Sequence, residues 1–506
     1  MLKVITAVFL ATTGAICLDC LPSSNGAELL EASPAAQHAT KPAVGDTKFN
    51  VLFIISDDLT ATALSCYGNT ICDTPNIDAL AATGTRFTNA YCQGTYCGPS
   101  RASFMSGYYP HATGVLGYKN PRPQIGDRPT WSQHFKNNGY HAARVGKIFH
   151  MGVPGGVEYK GEGADYNGAD DAASWTERFN TPGPEWMAAG DGETMEGNPD
   201  GRRPVVGGNT FVVVEADGGD EVHHDGKASA KAQELLRKNR DQPFWLGVGF
   251  VRPHVPFVAP RAYFPAFKPY DQLVLPPKID GDWDDIPKPG INYKTSKNMQ
   301  MNLRQQKKSL GGYLASVKFM DAQVGKVLQQ LRESGLDDKT IVIFTSDHGY
   351  HLGEHDFWAK VSLRDESAEV PLIIRVPGKK PAVCDSFVEL LDLYPTVASL
   401  CGLDAQPRLQ GLDISAMLDD PSVEVRDAAF SVAPMRRGFL WREKKWSFVQ
   451  YGEQAQNGTE LFDVEADPGQ YRNLAADREY EDVVTRMRQN IQRKLVEIRD
   501  NDLALQ

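Results

Sequence analysis

An α/β sandwich around a large, mostly parallel sheet is the fold this sequence predicts, and three observations predict it. Apolar runs of strand length at Asn50–Ser56, Pro243–Phe250 and Ile341–Ser346 read as strands covered on both faces. Segments with helical caps or helical spacing alternate with those runs, as a layered α/β core requires. After about Leu403 the pattern turns to short aromatic and alternating stretches, which predicts a smaller C-terminal α+β subdomain.

In chain order, Met1-Leu2-Lys3 followed by the apolar run Val4–Leu18 reads as a secretory signal cleaved near Ser24 to Ala27, so residues 1–27 are assigned to a signal peptide. Thr12, Thr13 and Gly14 break that run below membrane-spanning length, with an uncleaved anchor as the other reading. Ile16 and Asp19, just before Cys17 and Cys20, argue against a lipidation site. Residues 28–47 form a Pro/Ala-containing linker. Thr74-Pro75-Asn76-Ile77-Asp78-Ala79-Leu80 reads as an N-cap, a first-turn proline and a short helix ended by Gly84. A helix over Trp131–Asn138, a stop at Gly139 and a strand over Tyr140–Val145 follow.

Residues Met151 to about Asp225 are rich in Gly, Asp and Glu without periodicity and are expected to be long loops above the core. The core resumes with a helix over Lys227–Lys238 and the strand from Pro243, then a second loop region over Pro265–Lys297. Tyr313, Leu314, Val317, Met320, Val324, Val327, Leu328 and Leu331 recur at helical spacing, so this stripe is core packing ahead of the strand at Ile341. Residues 48–403 make the main domain. Residues 404–506 make the C-terminal subdomain, with aromatic strands near Gly438–Trp441 and Lys445–Val449 and an amphipathic helix over Glu481–Arg499.

The chain has 506 residues, 41% of them hydrophobic, enough for a large core, and a formal charge of -11. That charge argues against a general nucleic-acid- or heparin-coating surface, so any anionic substrate must be held by individually placed cations. Past the signal six cysteines remain, and assigning Cys97 to chemistry leaves an odd number, so no disulfide framework follows. Cys384 and Cys401 are open to a bridge or to two buried thiols.

Cys97-Gly98-Pro99-Ser100-Arg101 carries the most information. Pro99 suits the first position of a helix, which would set Cys97 at a helix N-terminus that favours a thiolate, an alkoxide or a bound oxyanion, with Arg101 one turn in. The five residues alone read equally as a cysteine-containing turn. Two predicted strands end in acidic groups, Asp57-Asp58 and Asp347-His348-Gly349, and in a parallel sheet those ends share one edge. Alone, each reads as a cap or turn. Together they bring carboxylates whose repulsion a hard cation would relieve. Gly146-Lys147-Ile148-Phe149-His150 and Arg252-Pro253-His254-Val255-Pro256-Phe257 place a lysine and two histidines after core strands at the same edge.

Cys97-x-Pro99-x-Arg101 resembles the signature of type I sulfatases, in which the cysteine is oxidised to formylglycine. The Gly-Lys-x-Phe-His stretch, the Pro-His-x-Pro-Phe stretch and the run from Ser346 through Leu352-Gly353-Glu354-His355 to Trp358-Ala359-Lys360 resemble the branch that holds iduronate-2-sulfatase and its bacterial relatives. The resemblance covers about Asn50 to Leu403, and Glu460–Val464 with Asp467-Pro468-Gly469 resembles the sulfatase tail. It implies an alkaline-phosphatase-like sandwich and a sulfuric ester hydrolase acting on a sulfated saccharide, with a 2-O-sulfated uronate as the narrower expectation. It also implies Ca²⁺, ahead of Mg²⁺, held by Asp57, Asp58, Asp347, His348 and the modified Cys97. Lys147 and Lys360 would hold the sulfate, His254 would serve the leaving oxygen, His150 would be the base that takes the proton of the second hydroxyl so that sulfate is expelled and the aldehyde restored, and Arg101 would support the nucleophile.

Maturation would require a formylglycine-generating enzyme, and the location would be exported. Two departures stand out. Met105-Ser106-Gly107-Tyr108 replaces the usual Leu-Thr-Gly-Arg continuation, and Tyr350, the candidate sugar contact, stands where tryptophan is expected. The open alternatives are a phosphonate or phosphate ester hydrolase of the same superfamily and a non-catalytic carbohydrate-binding protein.

Overall fold

A computed structural model describes residues 48–152, 167–197, 210–404, 406–433 and 437–503. The expected signal peptide and linker lie outside the described residues. Eight strands form the central sheet: β1 Asn50–Asp57, β2 Thr85–Phe87, β3 His141–Gly146, β4 Glu177–Phe179, β5 Phe244–Pro253, β6 Thr340–Ser346, β7 Leu372–Arg375 and β8 Ala382–Cys384. Their spatial order is β8-β2-β7-β6-β1-β5-β3-β4. The five strands from β6 to β4 are mutually parallel, whereas β7 runs antiparallel to both β6 and β2. The sheet is thus mostly parallel and mixed at one side.

Strand β1 shows why a continuous apolar run forms a central strand. Leu52 and Ile54 pack on one face with Val317, Val324 and Leu331, while Val51, Phe53 and Ile55 pack on the other with Phe104, Trp131 and Leu393. The first set belongs to the helix Leu303–Glu333 and the second includes the helix α1, Cys97–Ser106. Both faces are therefore covered, and no polar alternation is possible.

Three expectations need correction. Glu177–Phe179 is not loop but the outer strand β4. Val212–Ala216, within the expected loop region, is a buried strand that pairs with Gly190–Thr194 and with Phe257–Pro260. Its Val-Val-Val run buries both faces, so it lacks the alternation that would have separated it from its polar surroundings. The short helix is Pro75–Ala81, and the Thr74 hydroxyl does not cap it; that oxygen instead accepts from Ser65 N and donates to the Asp78 carboxylate.

A second, antiparallel sheet follows: β9 Ala428–Ala433, β10 Gly438–Glu443, β11 Trp446–Tyr451 and β12 Thr459–Asp463. One face holds Phe430, Val432, Phe448 and Leu461 against Met487, Ile491, Leu495 and Ile498 of the helix α2, Glu481–Arg499. The other packs Ala429, Leu440 and Val449 against Tyr91, Leu363 and Phe387 of the main domain. Cys66, Cys72, Cys92, Cys97, Cys384 and Cys401 are all free thiols, so the possible Cys384–Cys401 bridge is absent. Among the described residues, no helix is long and apolar enough to cross a membrane.

Candidate active site at the carboxyl edge of the sheet

Strands β1, β3, β5 and β6 run parallel, so Asp57-Asp58, Lys147, His254 and Asp347-His348 all emerge at one edge. Helix α1 brings Cys97 to the same point. The helix begins at Cys97 itself, after extended Tyr96, so Pro99 occupies its third position rather than its first. The missing proline N–H costs nothing there, because first-turn amides have no partner within the helix. Gly98 has a steric reason: a Cβ would lie 2.4 Å from the Gly117 carbonyl oxygen of the loop that crosses this turn.

Asp57, Asp58, Cys97 and His348 each direct one donor atom into a common space, all within 4.8 Å of one another. His348 Nδ1 lies 2.8 Å from the Gly349 carbonyl oxygen, which fixes the tautomer and leaves the Nε2 lone pair toward Cys97 Sγ, 3.2 Å away. Asp347, the fifth expected ligand, stands beside this group rather than within it. Its carboxylate accepts from Arg101 Nε at 2.8 Å and from Asp58 N at 3.2 Å.

The turn that carries Asp58 is tethered by a residue the sequence assigned only to packing. Tyr313 Oη donates to the Asp58 carbonyl at 2.8 Å and accepts from Thr60 N at 2.9 Å. Asp58 is held at φ 63°, the left-handed region that a non-glycine residue seldom adopts. The signal available in sequence was a lone hydroxyl at the end of an otherwise aliphatic stripe, since a buried tyrosine hydroxyl needs a partner. Ser100 was missed too; its hydroxyl donates to the Asp347 carbonyl at 2.5 Å.

Internal cations already match the carboxylates. Lys147 Nζ lies 2.5 Å from Asp57, Lys360 Nζ lies 2.7 Å from Asp58 and 3.2 Å from Cys97 Sγ, and Arg101 bridges Asp57 and Asp347. Burial alone would raise the Asp57 and Asp58 carboxyls, yet the surrounding cationic groups hold both below the ordinary range. Repulsion among carboxylates therefore does not by itself call for a metal, which corrects the sequence argument. What the donor set does fit is a hard divalent cation, with carboxylate oxygens and one oriented imidazole converging in a fully buried space. Three acids balanced by three bases leave such an ion's charge uncompensated, and that surplus suits an anion.

The Cys97 thiol departs from expectation. Burial pushes it well above its ordinary value, Asp57 adds to the rise, and Lys360 and Lys147 only partly oppose it. The helix terminus does not make this cysteine a thiolate. His254 Nε2 is 3.8 Å from the Asp58 carboxylate, while its Nδ1 lies 2.5 Å from the Val255 carbonyl. Burial lowers its imidazole to about 4. His150 stacks on Tyr118, with ring centroids 3.7 Å apart and planes 8° from parallel, while the hydrogen-bond partners of Cys97 Sγ among the described residues are Asp58, His348 and Lys360. Tyr118 and Tyr96, which packs on it at 4.6 Å, were absent from the sequence reading.

Tyr350 does not reach this mouth. It is 1% exposed and stacks on Tyr313 at 5.4 Å in the core, so it is no sugar contact in this structure. A residue beside Asp-His-Gly was expected to face out, but the chain turns it under the sheet edge.

Comparison with known proteins gives a consistent pattern. The sulfatase family model matches residues 49–403, and the model for the N-sulphoglucosamine sulphohydrolase C-terminal region matches residues 353–497. A sulfatase of Formosa agariphila is 32% identical over 445 residues, covering 85% of this chain and 83% of that protein. Iduronate 2-sulfatase of Homo sapiens is 33% identical over 404 residues, covering 71% and 70%. Among solved structures, the phosphonate monoester hydrolase of Silicibacter pomeroyi superposes with a TM-score of 0.72 at 21% identity, covering 90% of this chain and 97% of that one, which is a likeness of fold.

Proposed function

Because the chain belongs to the sulfatase family and is a sulfuric ester hydrolase, we propose that it removes sulfate from a carbohydrate at a nucleophile made from Cys97, with a 2-O-sulfated uronate as the narrower substrate. The observation that carries the reading is the convergence of Asp57, Asp58, Cys97 and His348 beside two buried lysines. Calcium is the ion this oxygen-rich set favours, and when bound it would offset charge on the sulfate oxygens. The hydrated aldehyde at position 97 would supply two hydroxyls: one would bond to sulfur as the bond from sulfur to the sugar oxygen breaks, and the other would then lose a proton as its carbon releases sulfate and the aldehyde is restored.

The chain's own residues do the positioning. Lys147 and Lys360, both nearly fully buried, place two fixed ammonium groups where the sulfate must sit, in a setting where water cannot screen them. Arg101 acts through Asp57 and Asp347, which it locks from beneath. His254 is assigned to the leaving oxygen; burial holds its imidazole at about 4 in the free protein, so the proton it donates would be taken up from solvent as the bound sulfate anion raises it. His150 is assigned the proton of the remaining hydroxyl. Lysine and imidazole recognise the anion rather than the sugar. Maturation by a formylglycine-generating enzyme and export from the cell belong to the same proposal.

The test is a panel of aryl sulfates, defined 2-O-, 4-O- and 6-O-sulfated saccharides, and matched phosphate and phosphonate esters. The account predicts that the sulfates turn over and that 2-O-sulfated uronates lead the saccharides. Preferential hydrolysis of the phosphorus esters would refute it.

A further inference from the structure

Strand β5 leaves its ladder just before it reaches the site. Its pairing with β3 ends at Gly249, and along β1 Ile55 faces Gly249 while Asp57 faces Pro253, so residues 250–252 bulge between those two pairs. The bulge frees two buried amides, and a buried N–H must find an acceptor. Both find the same one: Val251 N and Arg252 N donate to the two carboxylate oxygens of Asp225 at 2.8 Å and 2.9 Å. Asp225 stands in the first turn of the helix His224–Lys238, whose Ala228, Ala232 and Leu235 pack in the same core as Leu246 and Val248 of β5. Val251, Arg252 and Asp225 are all buried.

Two further contacts hold the same segment. Ser56 Oγ, one residue before Asp57, donates to the Arg252 carbonyl at 2.7 Å. The Arg252 guanidinium, paired with Glu185, donates to the His254 carbonyl at 2.6 Å and to the Pro256 carbonyl. The ring of His254 makes its own hydrogen bond among the described residues to the Val255 carbonyl, within the same turn. The direction of the imidazole is therefore set by the backbone of that turn, and the backbone by the bulge. A fully buried carboxylate is costly to keep, and here its two oxygens are both in use. Asparagine in the same pose would offer one oxygen and set its NH₂ against the second N–H.

We propose that Asp225 and Arg252 are positioning residues for His254: one binds both amides of the bulge, the other clamps the carbonyls that follow, and together they aim the imidazole at the oxygen that leaves sulfur. The inference rests on the role given to His254 in the sulfate-ester reading above. Protonation matters for an oxygen that leaves badly. A sugar oxygen needs the proton as its bond to sulfur breaks, whereas 4-nitrophenolate leaves as a stable anion.

The test measures kcat/KM of the unaltered enzyme, His254→Ala, Asp225→Asn, Arg252→Lys and the double variant Asp225→Asn/His254→Ala. The substrates are 4-nitrophenyl sulfate, with a good leaving group, and phenyl sulfate and a 2-O-sulfated uronate disaccharide, with poorer ones. The ratio of poor to good leaving group within one preparation cancels any loss of folded enzyme, which a merely structural role would lower on all substrates alike. His254→Ala should lower that ratio by about 10²–10³-fold. Asp225→Asn and Arg252→Lys should each lower it by about 10- to 100-fold, through kcat rather than KM, and Asp225→Asn should change it by less than about twofold once His254 is gone. Arg252→Lys carries the comparison if Asp225→Asn yields no folded protein. A ratio lowered in His254→Ala but unchanged in a folded Asp225→Asn or Arg252→Lys overturns the role of that residue alone, as does a further loss in the double variant for Asp225. A ratio unchanged in His254→Ala overturns the role of His254 and this inference with it, and no turnover of any of the three esters by the unaltered protein refutes the sulfate-ester reading itself.

Discussion

Replacing Tyr313 with phenylalanine deletes one oxygen, and the structure states what that oxygen holds. It donates to the Asp58 carbonyl and accepts from Thr60 N, and Tyr313, Asp58 and Thr60 are 0%, 0% and 2% exposed. Water does not enter to replace it, so both backbone groups lose their partner. An unsatisfied buried polar group costs about 1–3 kcal/mol, and relief from burying the phenol itself returns a part. Tyr313→Phe should therefore destabilise the protein by about 2–4 kcal/mol. The strained Asp58 backbone should also relax, displacing a proposed metal ligand and lowering turnover by about tenfold or more.

The neighbouring Tyr350 supplies the control, since it stacks on Tyr313 but its buried hydroxyl has no partner among the described residues. Tyr350→Phe removes an unsatisfied group and should be neutral or stabilising by about 1 kcal/mol. Guanidinium unfolding of both variants reads the difference as a shift in midpoint at unchanged slope. If Tyr313→Phe shifted the midpoint no further than Tyr350→Phe and kept full activity, the tether would have no role in shaping the site.

Three further outcomes are expected. Lys360→Met should leave Asp58 as an uncompensated buried charge, at about 3–5 kcal/mol of stability, and should lower kcat by about 10²–10³-fold; adding Asp58→Asn should return stability without returning activity, which a double-mutant cycle measures. His111, held at about 4 by burial, is neutral in the folded chain but takes up a proton near pH 6.5 when unfolded. Its contribution is thus present above about pH 6.5 and lost as pH falls toward 4, at most about 3.4 kcal/mol, and His111→Phe should flatten the acid limb of a stability-against-pH curve by that share. Chelation should abolish turnover, and calcium at about 100 times its dissociation constant should restore it and add about 2.7 kcal/mol of stability; full activity after exhaustive chelation, with metal content measured, would remove the ion from the account.

The fold was legible where one physical signal dominated. Asn50–Asp57 and Thr340–Ser346 are buried on both faces, so their apolar runs could be nothing but interior strands, and a parallel sheet then brings Asp57 and Asp347 to one edge. Helix Glu481–Arg499 was legible because only one of its faces is covered. Val212–Ala216 was not, since its partners lie in separate segments and its surroundings carry no periodicity. In the site, residue identities were legible but contacts were not. Asp57, Asp58, Lys147, Asp347 and His348 stand at strand ends, so their meeting at one edge was legible by position, whereas the roles assigned to them came from the resemblance. Tyr313 was hidden because its ring belongs to the core and only its hydroxyl belongs to the site. Tyr350 was misplaced because adjacency in sequence does not fix which side of a turn a ring takes. The Cys97 thiol was misjudged because burial outweighs the pull of a helix terminus.

The central claim concerns the chemical form of residue 97. Mass spectrometry of the peptide that contains Cys97, on the same preparation used to measure sulfate release, tests it most directly. The account predicts an aldehyde at position 97, sulfate release in proportion to the fraction converted, and none from Cys97→Ala. Full sulfate release from protein whose Cys97 is an unmodified thiol would contradict it.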